Sequence, residues 1–285
     1  MTIQEIRTKV QHELATVYEQ SEAENITELL LENKTGLTRN ERIVNKNLPA
    51  NEAQVEEIDL AIQRLLQHEP VQYVTNEAWF CGMKFYVDKN VLIPRPETEE
   101  LVEWIISNLK FPIGKINILD IGSGSGCIAI ALKRKLRKAE VWSCDVSEDA
   151  LSVAKRNATT LNADVNFIKM DFLDTDVWKQ QPQFDIIVSN PPYIPEKDKL
   201  QMNKNVLDYE PHTALFVPDN DPLLFYKAIA AFGKKHLNTN GNIFLELHED
   251  YAVETATFAQ AENYATELKK DMQQKSRMLK LTANK

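Results

Sequence analysis

Apolar residues recur at three- and four-residue intervals through the first 75 positions. Ile3, Ile6, Val10, Leu14 and Val17 fall on one face of a helix, and Val55, Ile58, Ile62, Leu65 and Leu66 form the stripe of another. Between them, Asn25-Ile26-Thr27-Glu28-Leu29-Leu30-Leu31 begins a helix that Gly36 is placed to stop. Such stripes bury themselves against one another, which predicts a small all-helical domain over residues 1–75. From Glu77 to Ile93 the pattern changes. Trp79-Phe80, Phe85-Tyr86-Val87 and Val91-Leu92-Ile93 are aromatic and β-branched, with Gly82 and Asp88-Lys89-Asn90 as turn signals, so residues 76–96 read as a β-hairpin linker. Over residues 97–285 short apolar runs alternate with amphipathic ones. Strands are predicted at Ile116–Ile121, Glu140–Asp145, Val165–Lys169, Phe184–Ser189 and Asn242–Leu247, with room for two more from Asn263 onward. Helices are predicted at Cys127–Lys135, Ser147–Thr160, with Ser147 as cap, and Leu223–Leu237. This alternation predicts an α/β domain with a mostly parallel sheet covered on both faces.

Charge sharpens the division. The chain of 285 residues carries a net charge of −9, and residues 1–75 hold 7 Lys and Arg against 13 Asp and Glu, a local charge of −6. Nucleic-acid binders present a basic footprint, because phosphate contacts dominate their affinity. An acidic amino-terminal part suits a basic protein surface instead. No apolar run reaches the length of a membrane span, and the charged start from Glu5 does not read as a secretory signal, so a cytoplasmic location is expected. Cys81, Cys127 and Cys144 lack CxxC spacing, as expected of reduced thiols. Cys127 stands at a helix start, where a thiol pKa can fall, although packing explains it more simply. The five histidines show no zinc-ligand spacing, and no metal is expected.

Two loops carry candidate chemistry. Asp120-Ile121-Gly122-Ser123-Gly124-Ser125-Gly126 lies where a strand ends and a helix begins. Glycines there allow a sharp turn and close approach of a ligand, and the helix amino terminus favours an anion. Asp145 ends the next strand, where a carboxylate can accept from both ribose hydroxyls of an adenosine ligand. Gly124-x-Gly126-x-x-Ala129 also satisfies the dinucleotide fingerprint, so this loop alone leaves a dehydrogenase open. Asp171-Phe172 follows the third strand; the acid could accept from an adenine amino group with Phe172 near the ring, or be a solvated turn residue. The second loop, Asn190-Pro191-Pro192-Tyr193, follows the strand Phe184–Ser189. Prolines stiffen it and remove backbone donors. Its carbonyls and the Asn190 side-chain oxygen then offer two acceptors to a planar NH2 group, with Tyr193 placed to pack on the substrate's flat face. An amide nitrogen is a poor nucleophile because its lone pair is delocalised; accepting both of its protons raises its electron density.

Over nearly its full length the chain resembles the release-factor glutamine methyltransferases of the HemK/PrmC type. The resemblance rests on Pro70-Val71-Gln72-Tyr73, Phe80-x-Gly82-x-x-Phe85, Val91-Leu92-Ile93-Pro94-Arg95-Pro96-Glu97-Thr98-Glu99, the glycine loop, Asp145, Phe184 to Tyr193, and Tyr209-Glu210-Pro211. It implies a class I, Rossmann-like, seven-stranded methyltransferase domain behind a helical substrate-recognition domain. It also implies methyl transfer from S-adenosyl-L-methionine to the glutamine side-chain amide nitrogen in the Gly-Gly-Gln motif of class 1 peptide chain release factors. Gly122, Ser123, Gly124, Ser125, Gly126, Asp145, Asp171, Phe172 and Asn190 are then expected at the cofactor, and Asn190, Pro191, Pro192 and Tyr193 at the glutamine. The enzyme is expected to act as a monomer in translation termination, contacting neither nucleic acid directly nor a membrane. Glutamine methylation of a ribosomal protein, an adenine-amino DNA or RNA methyltransferase, and a non-catalytic adaptor are the other readings; the last is disfavoured by the intact loops. Two segments depart from the family pattern. In Leu245-Glu246-Leu247-His248-Glu249 a histidine replaces the usual glycine, and Asp219-Asn220-Asp221-Pro222 replaces a glycine-rich turn.

Overall fold

Three capping boxes start helices in the amino-terminal part of the computed structural model, which describes residues 1–109 and 115–283. Thr2 with Glu5 opens α1 (Ile3–Leu14), Thr38 with Glu41 opens α3 (Arg39–Val44), and Asn51 with Gln54 opens α4 (Glu52–Leu65). Between them runs α2 (Gln20–Thr35), ended by Gly36 in the left-handed conformation at φ +68°. The short α5 spans Val71–Thr75. Helix α2 starts five residues before the Asn25 expected from its apolar run, because Ser21, Glu22 and Glu24 form a solvated first turn around the buried Ala23. Val17, expected on the α1 stripe, lies past the helix end and is exposed. The remaining stripes meet in one core containing Ile6, Val10, Leu14, Leu30, Ile58, Ile62 and Leu65. Burying each such side chain contributes about 1.5–3 kcal/mol. Met1–Glu77 and Asn203–Tyr209 form this first unit. The later segment joins it through Tyr209, whose hydroxyl donates to the Gln67 carbonyl at 2.8 Å, a link that no local pattern announces.

The second unit comprises Ala78–Met202 and the residues from Glu210 onward. It opens with the hairpin β1 (Ala78–Phe80) and β2 (Met83–Phe85), turned by Cys81 and Gly82 at φ +50° and +72°. The hairpin does not stand apart as a linker: Phe80 and Phe85 are fully buried in this unit's core. There follow α6 (Pro96–Asn108), β3 (Asn117–Ile121), α7 (Cys127–Lys135), β4 (Glu140–Asp145), α8 (Glu148–Thr160), β5 (Val165–Lys169) and β6 (Phe184–Ser189). The chain continues with β7 (Ile194–Pro195), α9 (Lys204–Leu207, which clusters with the first unit), β8 (Phe216–Val217), α10 (Leu224–His236), β9 (Leu237–Glu246), α11 (Ala252–Ala261), β10 (Tyr264–Lys270) and β11 (Ser276–Ala283). Among the described residues seven strands form one sheet in the order β10-β11-β9-β6-β3-β4-β5. The five strands from β9 to β5 are parallel to their neighbours, and β11 and β10 close the other edge antiparallel. Successive residues face opposite sides: Ile186 and Val188 enter one core and Ile187 the other, the pattern of a sheet covered on both faces. Strand order reverses at β3, so the loops after β3 and β6 open side by side, where ligands of open α/β sheets bind.

Candidate active site

The glycine loop turns on three residues with positive φ: Gly122 at +85°, Gly124 at +51° and Gly126 at +80°. The positive φ alone disfavours a side chain at all three. A Cβ on Gly126 would also stand 3.1 Å from Ala154 Cβ, where α7 packs on α8, whereas at Gly122 nothing lies nearer than the Asn190 carbonyl oxygen at an unhindered 3.9 Å. At Gly124 the space is open, as a ligand approaching the backbone requires. Asp145 holds this loop in place: its Oδ2 accepts from the Gly124 N–H at 2.9 Å and its Oδ1 from the Ser147 N–H at 2.9 Å. The hydroxyl oxygens of Ser123 and Ser125 are buried with no hydrogen-bond partner among the described residues. Beneath the loop Asp120 is fully buried and takes the Ser143 hydroxyl at 2.9 Å. Burial pushes its carboxyl up to about 8. Burial also pushes the Cys127 thiol up to about 12, so this helix start does not activate it.

A single cleft collects Gly122 to Ser125, Asp145, Asp171, Phe172, and Asn190 to Pro192. Gly126 lies behind it in the α7–α8 contact. Asp171 is exposed, with Oδ1 accepting from the Leu173 N–H at 3.0 Å. Phe172 reaches the cleft, but its ring is embedded in an aromatic cluster, 5.5 Å from Trp178 and 5.3 Å from Phe232. Tyr193 is placed differently from the expectation that it covers the substrate. It is not among the residues lining the cleft. Its hydroxyl donates to Glu246 at 3.2 Å, and its ring meets His248 edge to face at 5.9 Å. The backbone N–H groups of Tyr193 and Ile194 both reach the Leu215 carbonyl, and β7 pairs with β8, so the loop is held from outside as well as stiffened by its prolines.

Three supports are not legible in the local sequence. Thr98, in the first turn of α6, accepts from Asn190 Nδ2 at 3.1 Å and donates to Glu246 Oε2 at 2.6 Å. Glu246, at the end of β9, is 2% exposed. Burial pushes its carboxyl up to about 6, against the pull of Thr98, Tyr193 and Arg277. Glu210 accepts from the Ile93 N–H at 3.2 Å and pairs with Arg95, clasping the Asn90–Arg95 rim of the cleft; burial raises this carboxyl despite Arg95. The departure at His248 costs no backbone strain, since its φ is −67°, where glycine has no advantage. In the other departure, Asp219 Oδ1 accepts from the Lys197 N–H at 2.8 Å and Asp221 pairs with Lys227.

Comparison with known proteins resolves what the two loops leave open. Residues 5–75 match a family described as "PrmC N-terminal domain", and residues 99–209 match "Methyltransferase small domain". A release factor glutamine methyltransferase of Flavobacterium psychrophilum is 42% identical over 284 residues, 99% of both chains. The chain belongs to the release factor glutamine methyltransferase family. Another member, from Bacteroides thetaiotaomicron, is 38% identical over 98% of this chain and 99% of its own. A methyltransferase of Pyrococcus furiosus shares the fold at 17% identity, with a TM-score of 0.51 over 78% of this chain and 98% of its own. As in the family, the sheet is that of a class I methyltransferase, and membership implies a cofactor of the S-adenosyl-L-methionine type. The dehydrogenase left open by the glycine loop is thereby set aside. No helix among the described residues is long and apolar enough to cross a membrane.

Proposed function

We propose that the chain transfers the methyl group of S-adenosyl-L-methionine to the glutamine side-chain amide nitrogen in the Gly-Gly-Gln loop of class 1 peptide chain release factors. One observation carries this reading: Asn190 spends its amide nitrogen on Thr98, which leaves its oxygen as an acceptor in the same cleft as the glycine loop. The names of the full-length relatives support the choice of substrate.

The residues present fit the cofactor. The unpartnered hydroxyls of Ser123 and Ser125 and the open face of Gly124 stand at the amino end of α7, ready for a carboxylate or ammonium. Asp145 would take the ribose hydroxyls, and Asp171 and Phe172 would border the adenine. When bound, the cofactor supplies an electrophilic methyl group on a sulfonium. The chain's contribution is to hold the amide nitrogen. Asn190 Oδ1 and a carbonyl of the Pro191-Pro192 segment would accept its two protons, enriching the nitrogen and fixing its direction of attack. Alignment of this kind is worth about 7–11 kcal/mol.

Residues 1–75, with their charge of −6, would bind the body of the release factor. A single glutamine offers too little surface to choose one protein among many, and specific partners bury about 1,200–2,000 Å². The setting would be the cytoplasm, with the enzyme acting as a monomer. Radiolabelled methyl transfer tests the reading, with purified release factor, ribosomal proteins and DNA offered in parallel. Label on the Gly-Gly-Gln glutamine supports it; label only on a ribosomal protein or on DNA refutes it.

A further inference from the structure

A planar amide has two ends of nearly equal size, one an acceptor and the other a double donor. If Asn190 were turned over, it would present N–H groups to a substrate NH2. Atoms outside its loop make the choice. Glu246, when ionised, can only accept hydrogen bonds. Thr98 has one hydroxyl proton and stands 2.6 Å from Glu246 Oε2, so it donates there. Only lone pairs remain on Thr98 Oγ1 for Asn190, and they take an N–H from Nδ2 at 3.1 Å. The Tyr193 hydroxyl spends its proton on the other carboxylate oxygen at 3.2 Å. Every proton in the chain of contacts points toward Glu246 and away from the cleft.

We propose that Thr98 and Glu246 are positioning residues that set the polarity of this hydrogen-bond chain, and that protonation of Glu246 reverses it and turns the Asn190 amide over. The inference rests on the acceptor role given to Asn190 above. A proton taken from solvent onto Glu246 Oε2 must be donated to Thr98. The Thr98 hydroxyl proton, no longer accepted by Glu246, is then free to swing to Asn190, which receives it by bringing its oxygen to that side. Its NH2 end now faces the cleft, where a substrate NH2 finds no acceptor. One O–H bond is made and no other covalent bond changes. The groups facing Glu246 are Glu97 from α6, Arg277 from β11, Tyr193 from the reactive loop and Tyr226 from α10, with His248 behind Tyr193. Burial and Glu97 favour proton uptake; Arg277 and the two hydroxyl donors oppose it.

The test uses the full chain, saturating cofactor and release factor, and kcat measured from about pH 5 to about pH 8, where a carboxylate raised by burial titrates. The wild type should lose turnover on the acid side with an apparent pKa of about 6. Thr98→Val keeps the shape and removes the hydroxyl. It should lower kcat at neutral pH by about tenfold or more, as a misplaced contact does, with cofactor affinity held within about twofold. It should also abolish the acid limb, and Thr98→Ser should restore both. A Thr98→Val enzyme with kcat within about twofold of wild type, a loss confined to KM, or an unchanged acid limb overturns the inference, since misplacement acts on the chemical step. Should Thr98→Val not fold, the wild-type profile decides alone, and a kcat flat to about pH 5 overturns the inference because Glu246 would titrate without consequence. Failure of the wild type to label release factor at any pH refutes the proposed function and this inference together, whereas labelling by the wild type with an unaffected Thr98→Val refutes only the network.

Discussion

Replacing Asp145 by alanine should weaken cofactor binding far more than it weakens the fold. Its two carboxylate oxygens accept from the Gly124 and Ser147 N–H groups, both at 2.9 Å, and each oxygen keeps a further lone-pair site for a ribose hydroxyl. A hydrogen bond to a charged group is worth about 1.5–3 kcal/mol, so losing one such contact raises the dissociation constant about 10- to 150-fold. The second contact is partly replaced by water. Gly124 also loses the partner that holds it at φ +51°, which adds a cost of ordering the loop upon binding. Titration calorimetry with S-adenosylhomocysteine reads the affinity without turnover, and thermal melting of the same sample checks the fold. Asp145→Asn sharpens the test. Its amide oxygen can satisfy only one of the two N–H groups while its NH2 confronts the other, so it should bind no better than the alanine variant. An affinity for either variant within about threefold of wild type, a difference under 1 kcal/mol, would refute the ribose role.

Asn190→Ala should lower kcat by about 2–4 kcal/mol of barrier, as loss of one preorganised polar contact does, while calorimetry shows cofactor affinity changed far less. Gly126→Ala should cost about 1–2 kcal/mol for the left-handed backbone at φ +80°, plus the clash with Ala154 at 3.1 Å, read as a lowered melting temperature without the cofactor. Asp120→Asn tests the buried acid below the glycine loop. Its carboxyl rises from 3.8 to about 8 on folding, so the stability contributed by the neutral form is complete below pH 3.8 and is lost as the pH climbs toward 8. The asparagine variant should therefore melt with a flatter pH dependence over that interval; a parallel dependence in both proteins would mean Asp120 is ionised in the fold.

The order of elements was legible because each announces itself within a dozen residues. The 3.6-residue stripes, Gly36 and Ser147 as caps, and the short β-branched runs all use local physics, and tertiary packing agreed with them. Helix α2 escaped by five residues because its first turn is solvated and shows no stripe. The glycine-loop side of the cleft was equally legible: Asp120 to Phe172 falls in one βαβαβ run, where spacing along the chain translates into spacing in space. The Asn190 side was only half-read. Asn190 and the prolines stood out as a strand-ending tetrapeptide, but Thr98 and Glu246 are 148 residues apart, and Arg95 and Glu210 are 115. No periodicity connects such pairs; Thr98 meets Glu246 only because α6 packs on β9, and Arg95 meets Glu210 only where two distant loops come together. The tether of Tyr193 escaped for the opposite reason: its neighbours suggested a ring free to cover a ligand, and the buried carboxylate that its hydroxyl reaches lies 53 positions downstream.

That tether bears on which flat molecules the site can accept. A nucleobase drawn out of a helix exchanges its stacked neighbours for a protein ring, and such stacking is worth about 1–3 kcal/mol per base. With its hydroxyl tied to Glu246 and its ring edge-on to His248, Tyr193 would have to leave these contacts to serve as a landing plate. A flipped adenine would give up its old partners without gaining this one, a deficit of roughly 5- to 150-fold in affinity. A glutamine side chain has no stack to leave and loses nothing. A tether that steadies the Asn190 loop would thus also count against a nucleic-acid substrate, by withholding a surface rather than by a repulsive charge.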